Sequence, residues 1–273
     1  MPRFNIQSFT PRWAENVSLI RGQLHNFFWP PECPLCEELV SDPVRLICER
    51  CTGLMKSDYS RCSKCAGPVP EVVEKDQCYR CRKADFRFDR VITLGPYRDH
   101  LSDAVIRLKK PSQWLLRNSL AGLLAEAVTD ALDHTLAENG EPESRLLIPI
   151  PNYWTHAFQG VADTAGELAR TMAAESGIPL KTNLIRRTRK TAKQGMLSRT
   201  ERSKNVRGAF QIPSPESLTG CHVILVDDVL TSGATCSEVA RQLKSAGAST
   251  VTVAVIARGT GARESPTPQN LDV

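Results

Sequence analysis

The hydrophobic rhythm of the chain changes twice, and those changes divide it before any single residue is considered. Around WAENVSLIRGQLHNFF, Val17, Ile20, Leu24 and Phe27 recur at helical spacing, which predicts an amphipathic lead helix docked on the rest of the protein. From Pro30 to about Phe86 apolar residues thin out, and cysteine, proline and turn formers take their place. That composition belongs to a small module stapled by metal rather than by a core. Beyond it, strand-like and helix-like segments alternate. RVITLGPY predicts a strand, LSDAVIRLKK and WLLRNSLAGLLAEAVTDALDHTLA predict helices, and RLLIPIP predicts a short buried strand. TAGELARTMAAESG reads as a helix closed by glycine and TNLIRRTR as a further strand. VILVD, the helix SEVARQLKSAG and the strand TVTVAVIAR complete the series. In that last helix Cys236, Val239, Ala240 and Leu243 form an i, i+3, i+4, i+7 stripe, and Gly247 supplies the C′ position. Strands separated by helices require parallel crossovers, so the expected class is α/β, an open parallel sheet with a small N-terminal metal module. The expected division is a helical lead over 1–28, a metal module over 29–86, an α/β domain over 87–260 and a disordered polar tail over 261–273.

Composition adds little until cysteine is counted. The 273 residues are 41% apolar and 24% charged with a formal net charge of +5, ordinary for a soluble globular protein. No apolar run reaches the ~20 residues of a membrane span, and the N-terminal stretch lacks the apolar core of a secretory signal. A cytoplasmic protein is expected.

Of ten cysteines, eight stand in four CxxC pairs: Cys33 and Cys36, Cys48 and Cys51, Cys62 and Cys65, Cys78 and Cys81. In a reducing compartment such pairs are metal ligands more often than disulfides. Eight thiolates suffice for two structural zinc sites of four cysteines each, with no open coordination position in view. Sequential pairing (first with second, third with fourth) closes two short hairpins and is preferred; a cross-braced pairing is the alternative. After the fourth pair, Tyr79, Arg80, Arg82, Lys83, Phe86, Arg87, Phe88 and Arg90 interleave basic and aromatic side chains, as single-strand binders do. The plainer reading, that they pack the linker between modules, is preferred. Cys221 and Cys236 are expected to be core cysteines.

The chemistry is concentrated in VILVDDVLTSGAT, residues 223–235. A buried parallel strand ends in the crevice where ligands bind, and two adjacent carboxylates there are costly unless something binds across them. Asp227 and Asp228 are suited to two vicinal ribose hydroxyls. Thr231, Ser232, Gly233, Ala234 and Thr235 follow where the loop becomes a helix, and free N–H groups, a close-approach glycine and hydroxyls suit a phosphate. Two alternatives are weaker. A P-loop magnesium site lacks its GxxxxGK[ST], and a helix cap leaves the TSGAT run without a purpose.

VILVDDVLTSGAT resembles the signature of type I phosphoribosyltransferases, which bind phosphoribosyl pyrophosphate (PRPP). FFWPPECPLC, the four CxxC pairs, FDRVITLGPYRDHLSDAVIRLKK, IPIP and QGMLSRTERSKNVRGAF together resemble the ComF family. The resemblance implies a type I phosphoribosyltransferase-like sheet behind a double zinc ribbon. It also implies PRPP bound with magnesium, Asp227 and Asp228 on the ribose, and Thr231 through Thr235 on the 5-phosphate. Residues from Asn152 onward would receive pyrophosphate, and Lys109 would be a site residue. The family's arginine- and amide-bearing run is replaced here by FQGVADTAGELA, in which only Gly160 is retained.

Between Lys181 and Arg207 ten basic residues stand against one acid, Glu201. In this fold class such a segment would close over pyrophosphate, with Arg187, Arg189, Lys190 and Arg202 as candidates for its charge. It would serve equally to track a nucleic-acid backbone. Two functions stay open at this point. One is transfer of a phosphoribosyl group to an unknown acceptor with release of pyrophosphate, associated with DNA uptake. The other is non-catalytic binding of single-stranded DNA or of DNA-uptake or DNA-processing partners through the zinc module and the 181–207 segment.

Overall fold

The computed structural model describes residues 30–40, 46–56, 59–69, 78–139, 144–151, 163–189, 199–212 and 218–259, without the side chains at 135–139, 199, 200, 202 and 203. The expected lead helix and polar tail lie outside these residues. Two compact units are present, Met1–Cys51 and Thr52–Val273. The first four ligand cysteines belong to one unit, and the second four belong to the other together with the sheet.

The two zinc-ribbon halves repeat one local design. In each, a bridge (Glu32 with Leu39, Arg61 with Pro68) flanks a CxxC turn. The residue after the second cysteine, Glu37 or Ala66, has positive φ, 63° and 51°. The later CxxC opens a short helix: α1, Glu49–Met55, follows Cys48, and α2, Tyr79–Lys83, follows Cys78.

The second unit is built on four parallel strands: β1 (Arg90–Pro96), β2 (Arg145–Pro149), β5 (His222–Leu230) and β6 (Thr250–Arg258), in the order β1-β6-β5-β2. Val223, Leu225, Val251, Val253 and Val255 pack in one buried cluster with Cys236, Val239, Ala240 and Leu243 of the helix α7 (Ala234–Ser245). Cys62, Cys65, Cys78, Phe86 and Phe88 share that cluster, so the second ribbon is built into the core beneath one face of the sheet. By the period of two, Ile224, Val226, Thr252 and Ala254 face the other way. That side meets α4 (Trp114–Asn139) and α5 (Thr164–Ser176), which pack on each other and on the strands. Both faces are covered, which is why these strands read as unbroken apolar runs.

Helix ends follow the sequence. In α7, Gly247 has φ 101° and donates to Lys244 O, while Ala248 N donates to Leu243 O. These two bonds are the paired closure of a glycine-terminated helix. The helix α3 (Asp99–Leu108) buries Leu101, Ala104, Val105 and Leu108. Its last carbonyl, Leu108 O, accepts from Arg117 Nη1 at 2.8 Å, and Arg117 is also ion-paired with Glu167 of α5. One buried arginine thereby fixes where α3 ends, and with it the position of Lys109.

Two expectations are corrected. The acidic strand does not stop at the carboxylates: β5 runs on to Leu230, because the nine-residue β6 continues to pair with it through Val229–Ala257 and Leu230–Arg258. TNLIRRTR contributes only β3, Arg186–Arg187, which pairs antiparallel with β4, Phe210–Gln211, in a separate two-stranded sheet. Its arginines leave too little apolar side chain for a strand buried on both faces. Between them lies α6, Arg199–Val206. No helix among the described residues is long and apolar enough to cross a membrane.

Candidate functional site

Alternation along β5 sends Asp227 toward the α7 side and Asp228 toward the α3 side. Asp228 Oδ2 lies 2.9 Å from Lys109 Nζ, and Asp228 N donates to Asp227 Oδ1 at 2.9 Å. Burial, followed by the charge of Asp228, raises the Asp227 carboxyl well above the usual carboxylate range. Burial alone would lower Lys109, but Asp228 outweighs it and holds the ammonium charged. Burial, then Asp227, pushes the Cys236 thiol upward, so Cys236 is the inert core cysteine expected of it.

Three residues, Thr231, Ser232 and Gly233, connect β5 to α7. The first helical bond of α7 runs from Ser237 N to Gly233 O, so the preceding N–H groups have no helical acceptor. Ser232 Oγ accepts from Ala234 N at 3.4 Å. Gly233 is required twice over. Its φ is 78°, and a methyl group there would sit 2.7 Å from Phe86 Cε1. Gly233→Ala is expected to cost about 1–2 kcal/mol for the left-handed backbone alone, with a further contribution from Phe86. In urea unfolding, Phe86→Leu should recover only the second part. Full recovery would mean that the backbone is unstrained.

The basic candidates separate. Lys109 is brought to the acidic pair. Arg187 stacks over the Phe210 ring at 5.6 Å, and Arg189 Nη2 donates to Arg207 O at 2.8 Å, so both are engaged within the β3–β4 region. Asn152, Lys190 and the side chain of Arg202 lie outside the described residues. The basic-aromatic run after the fourth CxxC divides: its two phenylalanines and Arg80 are taken up in packing, while Arg82, Lys83, Arg87 and Arg90 stay exposed. Phe86 and Phe88 are buried and stacked at 4.8 Å, and Arg80 is buried. Tyr79 stays exposed beneath Lys83.

Beside the loop a cleft of about 760 Å³ is lined by Lys83, Asp85, Phe86, Arg87, Arg207, Ser232, Gly233, Ser237, Glu238 and Arg241 among others. Arg241 pairs with Glu238 through two bonds, and Arg87 pairs with Asp85.

The cysteines converge as two sequential clusters, Cys33, Cys36, Cys48 and Cys51, then Cys62, Cys65, Cys78 and Cys81, with sulfurs within 4.8 Å of one another in each. Cys36–Cys48 and Cys65–Cys78 stand at 3.6 Å and Cys62–Cys81 at 3.8 Å. Four ligands about 2.3 Å from a tetrahedral zinc place sulfurs roughly 3.8 Å apart, so the donor set fits structural zinc. Without metal the thiols compete. Burial raises Cys33, but N–H groups of Cys48, Cys36 and Leu35 outweigh it and lower it to about 7. Burial raises Cys65 to about 11, and burial with neighbouring thiolates raises Cys51 and Cys81.

One positioning residue escaped the sequence reading. Arg258, only 1% exposed, places its guanidinium among the carbonyls of Cys65, Leu230, Thr231 and Gly259. Its signal was a lone charge ending an otherwise apolar central strand.

Residues 155–269 match the family described as Phosphoribosyl transferase domain, and residues 24–82 match Double zinc ribbon domain. The chain therefore matches a double zinc ribbon followed by a phosphoribosyl transferase domain. It is a homologue of Competence protein F of Haemophilus influenzae, 29% identical over 214 residues, covering 78% of this chain and 90% of that protein. It is likewise a homologue of DNA utilization protein YhgH of Shigella flexneri, 27% identical over 233 residues, 84% of this chain and 97% of that protein. Amidophosphoribosyltransferase of Staphylococcus aureus is 25% identical over 167 residues, 61% of this chain and 31% of that enzyme. The ComF resemblance read from the sequence stands.

Proposed function

We propose that the protein binds PRPP, or another ribose 5-phosphate ligand, with magnesium at the end of β5. Asp227 and Asp228 would accept from the ribose hydroxyls, and Thr231 through Thr235 would bind the 5-phosphate. The observation that carries this reading is a paired carboxylate followed within three residues by a hydroxyl-rich, glycine-turned helix N-terminus. Lys109 on Asp228 adds a cation that a pyrophosphate could recruit. Asn152, Arg187, Arg189, Lys190 and Arg202 are the further candidates for that pyrophosphate. If an acceptor enters, the chemistry is displacement of pyrophosphate at the anomeric carbon, and the protein's part is positioning and charge stabilisation.

The names of the relatives, competence and DNA utilization, support a role in DNA uptake or processing. A thiolate metal module fits a reducing, cytoplasmic setting. We take 29–86 as the zinc module and 87–260 as the transferase-like domain. A second reading, non-catalytic binding of single-stranded DNA or a protein partner, is favoured by the cleft, where Lys83 and Arg207 stand beside the ribbon together with Arg87 and Arg241, the latter two paired with Asp85 and Glu238.

Thermal unfolding of the zinc-loaded chain with magnesium and PRPP tests the first reading, with single-stranded DNA as the second arm. A PRPP shift supports the transferase-like site. No shift at millimolar PRPP, with DNA binding that falls when Lys83 and Arg207 are neutralised, would replace it with the second.

A further inference from the structure

We propose that the second zinc ribbon is part of the framework of the Thr231–Thr235 loop, and that Arg258 is the positioning residue joining them. The inference rests on the reading of that loop as a phosphate site. Arg258 closes β6, an otherwise apolar strand, and its Nε donates to Cys65 O at 2.8 Å. Its Nη1 lies 2.7 Å from Leu230 O, 2.5 Å from Thr231 O and 2.6 Å from Gly259 O. Arg80, on the helix that follows Cys78, donates to the same Gly259 O at 3.2 Å, and Gly259 N donates to Leu230 O at 2.8 Å. The carbonyls at and just beyond the ends of β5 and β6 are thus bound by one guanidinium anchored on the ribbon, and Gly259 O also by another that belongs to it.

The consequence lies in the peptide planes. In a trans peptide the carbonyl and the next N–H point in opposite directions. With Leu230 O and Thr231 O held toward Arg258, the N–H groups of Thr231 and Ser232 are turned away from it, outward from the buried guanidinium. Two donors of an anion site are thereby oriented before any ligand arrives. Cys65 O can hold this arrangement only while the Cys62–Cys65 turn is closed, as it is by Cys62 N to Gly67 O at 2.9 Å and by convergence of its two sulfurs with those of Cys78 and Cys81. Phe86, at the ribbon's exit, braces Gly233 from the other side. Lysine has one ammonium nitrogen and cannot hold Cys65 O and the loop carbonyls together, as the separate Nε and Nη1 of Arg258 do.

The test compares Arg258→Lys, Cys62→Ser/Cys65→Ser and, in the other compact unit, Cys33→Ser/Cys36→Ser, each as the full chain. The readouts are zinc content, hydrogen exchange of peptides covering 230–236, and calorimetric binding of ribose 5-phosphate. Arg258→Lys should keep two zincs per chain, exchange the loop amides about tenfold faster and bind ribose 5-phosphate about tenfold more weakly, the scale of one charge-assisted hydrogen bond. The second-cluster variant should loosen and weaken the loop in the same way, and the first-cluster variant should not. Unchanged loop exchange in Arg258→Lys would overturn the proposal, as would equal loosening by the first-cluster variant. If the second-cluster variant does not fold, Arg258→Lys decides alone. If wild type takes up no ribose 5-phosphate, the phosphate reading fails, while loop exchange still decides the coupling.

Discussion

Replacing Asp227 and Asp228 together by asparagine is expected to remove stabilisation by PRPP and magnesium, while Asp227→Asn alone should make the free protein more stable. Ligand at 100 times its dissociation constant adds about 2.7 kcal/mol. In a domain of this size that is about 5–10 °C, and the double variant should lose all of it. The free protein behaves in the opposite sense. An unfolded aspartate gives up its proton near 3.9, whereas burial and Asp228 hold folded Asp227 well above the carboxylate range. Between those two values the folded chain carries the extra proton, so stability falls as pH rises through that window. Asparagine in place of Asp227 removes the penalty, and a gain of a few degrees at neutral pH, about 1 kcal/mol, is expected. Losing Asp228 costs little on the Lys109 side, because that lysine is 53% exposed and returns to water. Melting curves from pH 4 to 8, with and without ligand, separate the two effects. A ligand shift that survives the double variant would place the site elsewhere. A pH slope unchanged in Asp227→Asn would mean that Asp227 is not the strained group.

Much of this was written in local pattern. Unbroken apolar runs between helices gave a parallel sheet because both faces are covered, and CxxC turns gave two clusters because each turn presents two sulfurs to one point. What escaped was set by partners distant in sequence. β5 outruns its apolar core because β6 is equally long, and nothing within VILVDD announces the length of its neighbour. TNLIRRTR has the periodicity of a strand, but its arginines exclude it from a sheet covered on both sides. Phe86 and Phe88 alternate with bases like a stacking platform, yet they are consumed in the cluster beneath β5 and β6. Arg258 carried a visible anomaly, a charge on a buried strand. Its acceptors at Cys65 and Leu230 lie 193 and 28 residues away, beyond the reach of any spacing rule.

Stripping zinc should therefore lower the stability of the sheet and not merely release an appendage. Structural zinc contributes about 10–16 kcal/mol in small zinc-finger peptides, comparable to the roughly 5–15 kcal/mol that holds a whole domain together. Cys62, Cys65 and Cys78 sit in the same buried cluster as Val223, Val251 and Phe88. Opening that ribbon hydrates one face of the central strands. The metal must also displace protons from thiols, some of them held at raised values, Cys65 at about 11 and Cys51 and Cys81 above the ordinary range, while Cys33 is lowered to about 7. Zinc retention should consequently weaken as pH falls, with protons taken up as metal leaves. Titrating the chain with a strong chelator, and following zinc release, proton uptake and melting temperature together, should give two zincs per chain. A drop of more than about 10 °C in the main transition is expected, equivalent to a few kcal/mol. A main transition that stays in place after both zincs have left would show that the sheet holds its α7 face without the ribbon. The shared core cluster would then contribute little to its stability.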